Sequence, residues 1–289
     1  MRLNEETKPQ VSFLAMTSDA FFTVANGQTW DNHPSSPHTK ETPATLGAVE
    51  GVIMVELVPS ILSADFSKLA LEVEAAERGG GSVIHIDIMD GHFVPNLTMG
   101  PPVVKSLRKV TSLPLDCHLM IENPDDFIAE FADAGANWIS VHYEACRHLH
   151  RTLELISQHG MEPAVVINPA TLTGLLVDIL PMVHHVLVMS VNPGFGGQKF
   201  IGFSLDKIRR LVELRAELDL NFRIEVDGGV AHDTIASVVE AGADLLVAGS
   251  AVFASGHPEK EARVLLSIAR EAEHRRPGQK LHSARAAAI

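Results

Sequence analysis

The stretch SVIHIDIM, residues 82–89, is an apolar, β-branched run that predicts a buried strand. Residues two apart lie on the same face of a strand, so His85 and Asp87 emerge side by side from a segment whose other members favour burial. Burying an unpaired charge is costly, and a pair of this kind normally has a partner. The stretch therefore predicts both a buried strand and a metal or substrate site on it.

The same combination of polar group and apolar strand recurs twice. One histidine lies within PLDCHLM, residues 114–120, and one aspartate ends FRIEVD, residues 222–227. Two histidines and two aspartates at strand ends form a ligand set for one divalent cation, and they suit Zn²⁺, Fe²⁺, Mn²⁺ or Co²⁺. The predicted ligands are His85, Asp87, His118 and Asp227.

Strand-like and helical patterns alternate along most of the chain. The strand-like segments are residues 56–61, 82–88, 115–120, 138–143, 163–167, 185–190, 222–226 and 244–248. Eight strands, each followed by a helix, within roughly 220 residues are typical of a (β/α)₈ barrel. A doubly wound open sheet is the alternative, but it does not readily explain polar residues at so many strand ends. We predict an α/β protein with a single (β/α)₈ TIM barrel and an additional N-terminal extension.

The chain divides into three parts by composition. Residues 1–53 are rich in Thr, Ser, Asn and Pro and lack the unbroken apolar stretch of a secretory signal. We expect a poorly structured, dispensable extension with Met54 as a candidate true start, the alternative being a regulatory or oligomer-capping segment. Residues 54–274 form the predicted barrel domain, and residues 275–289 form a polar, Ala-rich tail.

Composition excludes several classes of protein. The formal net charge of −13 over 289 residues argues against a nucleic-acid binder, which needs a basic stripe. No apolar run approaches the roughly 18 residues that span a bilayer. Cys117 and Cys146 lie far apart with no CxxC spacing, so we expect free thiols in a reducing compartment, the cytoplasm. We also expect a homo-oligomer, without a predicted size.

Glycines follow three adjacent predicted strands. NPGFGGQK, residues 192–199, follows the sixth strand and matches neither a Walker loop nor GxGxxG. Glycines at strand ends let backbone N–H groups approach an anion, and the last two loops of a barrel are its usual phosphate site. A phosphate under a glycine-rich lid is therefore predicted. The candidate residues are Gly194, Phe195, Gly196, Gly197, Gly228, Gly229, Gly249 and Ser250.

Six motifs in order give the chain a specific resemblance. They are PSILSAD (59–65), HIDIMDGHFVPN (85–96), CHLM (117–120), VMSVNPGFGGQ (188–198), EVDGG (225–229) and AGSA (248–251). From about residue 58 to residue 270, the chain resembles the ribulose-phosphate 3-epimerases. Residues 1–53 have no counterpart in that family.

The resemblance implies reversible epimerisation at C3 of D-ribulose 5-phosphate to D-xylulose 5-phosphate, in the pentose phosphate pathway. Inverting C3 requires a proton to leave on one face and return on the other, which two carboxylates can do. A metal bound to the ketone and hydroxyl oxygens would stabilise the enediolate. The resemblance gives Asp87 and Asp227 the roles of acid/base pair and metal ligands, with one divalent cation per subunit.

The resemblance also implies roles for other residues. Ser60, His118 and Asp227 are expected to contact the substrate, although Ser60 alone could be a strand-end cap. Three methionines are expected around the intermediate, where thioethers form an apolar, polarizable lining. They are Met89, Met120 and Met189. Further candidates for the mouth, which solvation or loop hydrogen bonding explains nearly as well, are Asp90, His92 and His142.

Two other functions remain open at this point. One is an epimerase of the same family acting on a six-carbon substrate, allulose 6-phosphate, although the glycine loops keep the pentose-type pattern. The other is a metal-free barrel that binds a phosphosugar without catalysis, which the loss of a strand-end Asp or His would indicate. None of these side chains is missing from the sequence.

Overall fold

The computed structural model describes residues 54–276, and eight parallel strands form the centre of the fold. The strands are β1 Glu56–Pro59, β2 Ile84–Met89, β3 Leu115–Met120, β4 Trp138–His142, β5 Glu162–Ile167, β6 His185–Met189, β7 Arg223–Asp227 and β8 Leu245–Ala248. Neighbours from β2 to β8 pair in chain order, and β8 pairs with β1. Single bridges from Leu57 to Gly81 and from Ser60 to His85 join β1 to the β2 segment. The predicted (β/α)₈ barrel is confirmed.

Among residues 54–276, eight α-helices surround the barrel. They are α1 Leu69–Arg78, α2 Pro101–Leu107, α3 Ile128–Ala134, α4 Leu149–Gln158, α5 Ser204–Glu217, α6 Ile235–Ala241, α7 Ser250–Phe253 and α8 Pro258–Glu273. The expected alternation fails at one place, because β5 is followed by two 3₁₀ segments, Thr173–Leu176 and Leu180–Met182. Gly174 and Pro181 lie in these segments and disfavour a longer helix. Two helices, α7 and α8, follow β8 instead.

Alternation along β2 explains how the barrel holds polar groups. Ile84, Ile86 and Ile88 belong to the main apolar cluster, together with side chains of the surrounding helices. The intervening His85 and Asp87 lie on the opposite face, inside the barrel, and are buried. In the β2–β3 register, His85 is opposite Asp116 and Asp87 is opposite His118. Neighbouring strands therefore bring imidazoles and carboxylates together.

The first and last segments of the described residues are joined by a hydrogen bond. The backbone N–H of Val55, one residue before β1, donates to Glu273 Oε1 at the end of α8 at 3.0 Å. Arg275 and Arg276, the first residues of the predicted tail, donate to Glu240 and Asp244 respectively. The predicted extension 1–53 and the remainder of the tail lie outside the described residues. Within residues 54–276, none of the helices has the length and apolar character needed to cross a bilayer.

Candidate active site

The four predicted metal ligands converge at the carboxyl end of the barrel. Their ligand atoms all lie within 4.8 Å of one another. His118 Nδ1 lies 3.2 Å from Asp87 Oδ1 and 4.0 Å from Asp227 Oδ2. His85 Nε2 lies 3.4 Å from the same Asp87 oxygen. Strands β2, β3 and β7 thus direct two imidazoles and two carboxylates to a single point.

This cluster fits a divalent cation. His85 Nε2 is buried and has no hydrogen-bond partner among the described residues, which is costly unless a ligand completes it. The other ring nitrogen, Nδ1, lies 2.7 Å from Asp116 Oδ2, so it would keep the proton when a cation binds and leave Nε2 free as the ligand atom. Neutral imidazoles and carboxylates are ligands that borderline divalent metals prefer.

The two candidate catalytic carboxyl groups have different surroundings. Ser60 Oγ donates to Asp87 Oδ2 at 2.6 Å. Burial favours the neutral form of Asp87, but the charge of His85 and the hydrogen bond from His118 outweigh it and lower the pKa of this carboxyl. Burial and then the charge of Asp87 raise the pKa of Asp227 to about 8. The two carboxyl groups thus differ in their surroundings, which suits an acid/base pair.

A cavity lies above this cluster and opens to solvent. Ser60, Asp87 and Asp227 line it, whereas His85 and His118 are fully buried beneath. Three methionines at the ends of β2, β3 and β6 complete the apolar part of its wall, namely Met89, Met120 and Met189. The three predicted pocket residues therefore lie together.

The glycine-rich loops form the other side of the cavity. Its lining includes Gly194, Phe195, Gly196, Gly197, Gly228, Gly229, Gly249 and Ser250. Gly228 has φ +114°, and a Cβ there would lie 2.4 Å from Val191 Cγ2. At Gly229, with φ +64°, a Cβ would lie 2.7 Å from the backbone nitrogen of Phe200. Only glycine lets the loop after β7 pack this closely against the loop after β6.

The loops after β2 and β6 contact each other across the mouth. Asn96 Nδ2 donates to the carbonyl of Gly194 at 2.7 Å. Gln198 Nε2 donates to the carbonyls of Asn192 and Phe195, which closes the glycine-rich loop on itself. Phe195 lies at the tip of this loop, 55% exposed. This geometry is compatible with the predicted lid.

Several residues have positions that the sequence did not indicate. His142 is not at the mouth, as expected from the sequence, but fully buried behind His118. Asp90 Oδ1 accepts from the backbone N–H groups of His92 and Phe93, which is the loop hydrogen bonding considered as an alternative. The residues that sequence reasoning missed are Asp116 and Glu144. Their spacing in the sequence could have indicated them, because Asp116 lies two residues before His118 and Glu144 lies two residues after His142.

The fold and the site together define a class of protein. The closed parallel barrel carries its polar residues and glycine-rich loops at the carboxyl ends of the strands, as (β/α)₈-barrel enzymes do. The model of the ribulose-phosphate 3 epimerase family matches residues 56–253. The chain belongs to this family.

Curated relatives agree with that assignment. The ribulose-phosphate 3-epimerase of Bacillus subtilis is 53% identical over 210 residues, covering 72% of this chain and 96% of the relative. That of Aquifex aeolicus is 48% identical over 212 residues, covering 73% and 96%. Among solved structures, KGPDC from Streptococcus mutans has a TM-score of 0.58 at 16% identity, covering 75% of this chain and 98% of that one. This last likeness concerns the fold alone.

Proposed function

We propose that this chain interconverts D-ribulose 5-phosphate and D-xylulose 5-phosphate by a metal-assisted, two-base epimerisation at C3. The observation that carries the mechanism is that Asp87 and Asp227 face one cavity from β2 and β7, two strands that are not neighbours. Family membership supports the reaction and its substrates. The metal and the roles of individual residues are the proposal.

The stereochemistry of the reaction explains why two carboxyl groups are needed. A single base that removed and returned the proton on one face would regenerate the starting configuration. In one direction, Asp87 accepts the C3 proton and Asp227 donates a proton to the opposite face. After turnover Asp87 is protonated and Asp227 is ionised, which is the state that the reverse reaction needs. Ser60 orients Asp87 through its 2.6 Å hydrogen bond and contacts the substrate.

The ligand set His85, Asp87, His118 and Asp227 would hold one divalent cation. When bound, the cation supplies Lewis-acid stabilisation of the negative charge that develops on the substrate oxygens. Asp227 lines the cavity and would contact the substrate directly, whereas His118 is fully buried beneath the cavity and would serve as a ligand of the cation. Met89, Met120 and Met189 exclude water and offer no proton to the enediolate.

The substrate phosphate binds to backbone N–H groups of the glycine-rich loops. Among the described residues, no lysine or arginine lines the cavity. A concave set of backbone N–H groups can bind an anion without a cationic side chain. The close packing at Gly228 and Gly229 holds the backbone in the shape that this requires.

A coupled assay on D-ribulose 5-phosphate and D-allulose 6-phosphate, with metal content measured on the same sample, tests this function. We expect turnover of the pentose phosphate to be far faster than that of the hexose phosphate, with one divalent metal per subunit. Faster turnover of D-allulose 6-phosphate would contradict the substrate. Full activity after removal of all metal would contradict the metal-assisted mechanism.

A further inference from the structure

A buried chain of side chains leads away from the metal ligand His118. Its Nε2 lies 2.9 Å from His142 Nε2, and His142 Nδ1 lies 3.2 Å from Glu144 Oε2. Both imidazoles are fully buried, and the Glu144 side chain is 24% exposed. The first imidazole extends from β3, the second from the end of β4, and the carboxylate lies two residues after β4. A proposed ligand is thus linked to a carboxylate through a second histidine.

The partners in this chain determine where each proton lies. His118 Nδ1 faces Asp87 and Asp227, so a cation there requires that nitrogen to be free of hydrogen. The proton of His118 is then on Nε2 and is donated to His142 Nε2. His142 then carries its own proton on Nδ1 and donates it to Glu144, because an ionised carboxylate can only accept hydrogen bonds. Each donor in the chain meets one acceptor.

Glu144, the last of these hydrogen-bonded side chains, is held in a fixed position. Glu144 Oε1 accepts from the backbone N–H of Asn168 at 2.9 Å and from the Thr171 hydroxyl. Lys207 Nζ, on α5, donates to the backbone carbonyls of Asn168 and Thr171. The carboxylate is therefore anchored to the loop after β5, and that loop is anchored to α5. A fixed acceptor of this kind can hold the ring before it in one orientation.

We propose that His142 and Glu144 are positioning residues that hold His118 in the tautomer and orientation that present Nδ1 to the cation. This inference deepens the proposed function and rests on its metal site. The two histidine ligands are oriented differently: His85 is bonded directly to the carboxylate of Asp116, whereas His118 reaches Glu144 through His142. If the hydrogen bonds from His118 to Glu144 served only to secure the loop after β5, they would affect the stability of the protein but not the ligand environment of the metal.

Titration of the metal-free full chain with Co²⁺ separates these two roles. The affinity is measured by competition with a chelator, and the visible absorption of bound Co²⁺ reports the ligand geometry. The variants are Glu144→Gln, His142→Phe and the double variant. The control is Asp244→Asn, the same isosteric change at a buried carboxylate that binds Arg215 and Arg276 and has no contact with the ligands.

We expect each single variant to bind Co²⁺ about 10–100-fold more weakly, with an altered visible spectrum, as when other metal sites lose such a partner. The double variant should bind no more weakly than His142→Phe, because Glu144 acts only through His142. Asp244→Asn should unfold at a lower temperature and keep the wild-type affinity and spectrum.

Three results would overturn the proposal. The first is an unchanged Co²⁺ affinity together with an unchanged visible spectrum in Glu144→Gln. If His142→Phe does not fold, this result alone decides the question. The second is losses of affinity that add in the double variant. The third is a wild-type chain that binds no Co²⁺, which overturns the proposed metal site as well, whereas the first two results leave that site intact.

Discussion

At the scale of single residues, Asp87 and Asp227 are the same side chain in two surroundings. Ser60 and two imidazoles surround Asp87, whereas Asp227 faces the Asp87 charge from the far side of the cavity. The reaction needs one group that accepts a proton and one that delivers it. The barrel meets this need by placing the two groups on strands that are not neighbours.

Replacing either aspartate by asparagine preserves its size and removes its capacity to transfer a proton. We expect Asp87→Asn and Asp227→Asn each to lower kcat by at least about 10²–10⁴-fold. The loss should be greater if the metal is also disturbed, so kcat is measured together with metal content. Near-normal turnover in either variant would show that the wrong carboxyl group has been assigned.

The wild-type enzyme in deuterated water tests the same pair without a mutation. The incoming proton comes from a different group than the one that receives the outgoing proton. A single turnover of D-ribulose 5-phosphate should therefore place solvent deuterium at C3 of the product, as measured by mass spectrometry or NMR. Product that forms without label would exclude two independent bases.

His184 gives the free energy of unfolding a defined dependence on pH. Burial, followed by the charges of His185 and Arg223, lowers its pKa from 6.5 to about 4. Between those values the unfolded chain binds more protons than the folded chain, so stability falls as the pH is lowered through this range. We expect His184→Gln to reduce the drop in Tm between pH 7 and pH 5. An identical drop in both proteins would contradict this role; His118 and His142 contribute the remainder, because burial lowers their pKa values too.

At the scale of elements, local patterns were sufficient to predict the strands and the convergence of the four proposed ligands. The alternation in β2 identifies His85 and Asp87 as inward-facing because its three isoleucines are all on the other face. The 3₁₀ segments after β5 were not predicted, because apolar periodicity alone does not distinguish them from a helix.

The hydrogen bonds that link His118 to His142 and Glu144 could not be predicted from the sequence for a different reason. His142 and Glu144 gain their role from the register between β3 and β4 and from the path of the loop after β5. Spacing along one strand reports which side chains share a face, but not which ring nitrogen meets which partner on the next strand. The assignment of glycines to a phosphate site, in contrast, needed only their positions after three adjacent strands of a barrel.

The close packing of the loop after β7 predicts that replacing Gly228 by alanine is destabilising. Gly228→Ala forces a Cβ against Val191 at a φ that alanine rarely adopts, so we expect a loss of about 1–3 kcal/mol in the free energy of unfolding and a higher KM. Gly174→Ala is the control, because a Cβ there meets nothing within 4 Å. Denaturant unfolding and steady-state kinetics measure both effects. Equal behaviour of the two variants would contradict the close packing of the loop.

At the scale of the whole molecule, the eight strands that the structure describes and every proposed ligand lie within residues 56–248. We therefore expect a chain that starts at Met54 to keep the turnover and the Tm of the full chain. Coupled assay and thermal unfolding of the two proteins provide the comparison. A large loss of either property would show that residues 1–53 contribute to the barrel or to its site.

The assembly of the molecule stays a prediction. We expect a homo-oligomer, and light scattering coupled to size-exclusion chromatography measures its mass directly. A mass of 31.2 kDa, that of one chain, at micromolar concentration would contradict this expectation.

The hydrogen bond between Val55 and Glu273 has a topological consequence. Because it brings the beginning of β1 beside the end of α8, the barrel is a ring of βα units whose covalent chain is interrupted at one arbitrary point. In a chain reduced to residues 54–276, a short linker could close that interruption, and new termini could be opened elsewhere on the ring. Gly160, in the turn between α4 and β5, is exposed and has nothing within 4 Å of an added Cβ. A circularly permuted chain that begins there would contain the same eight units in a rotated order, with the catalytic face undisturbed.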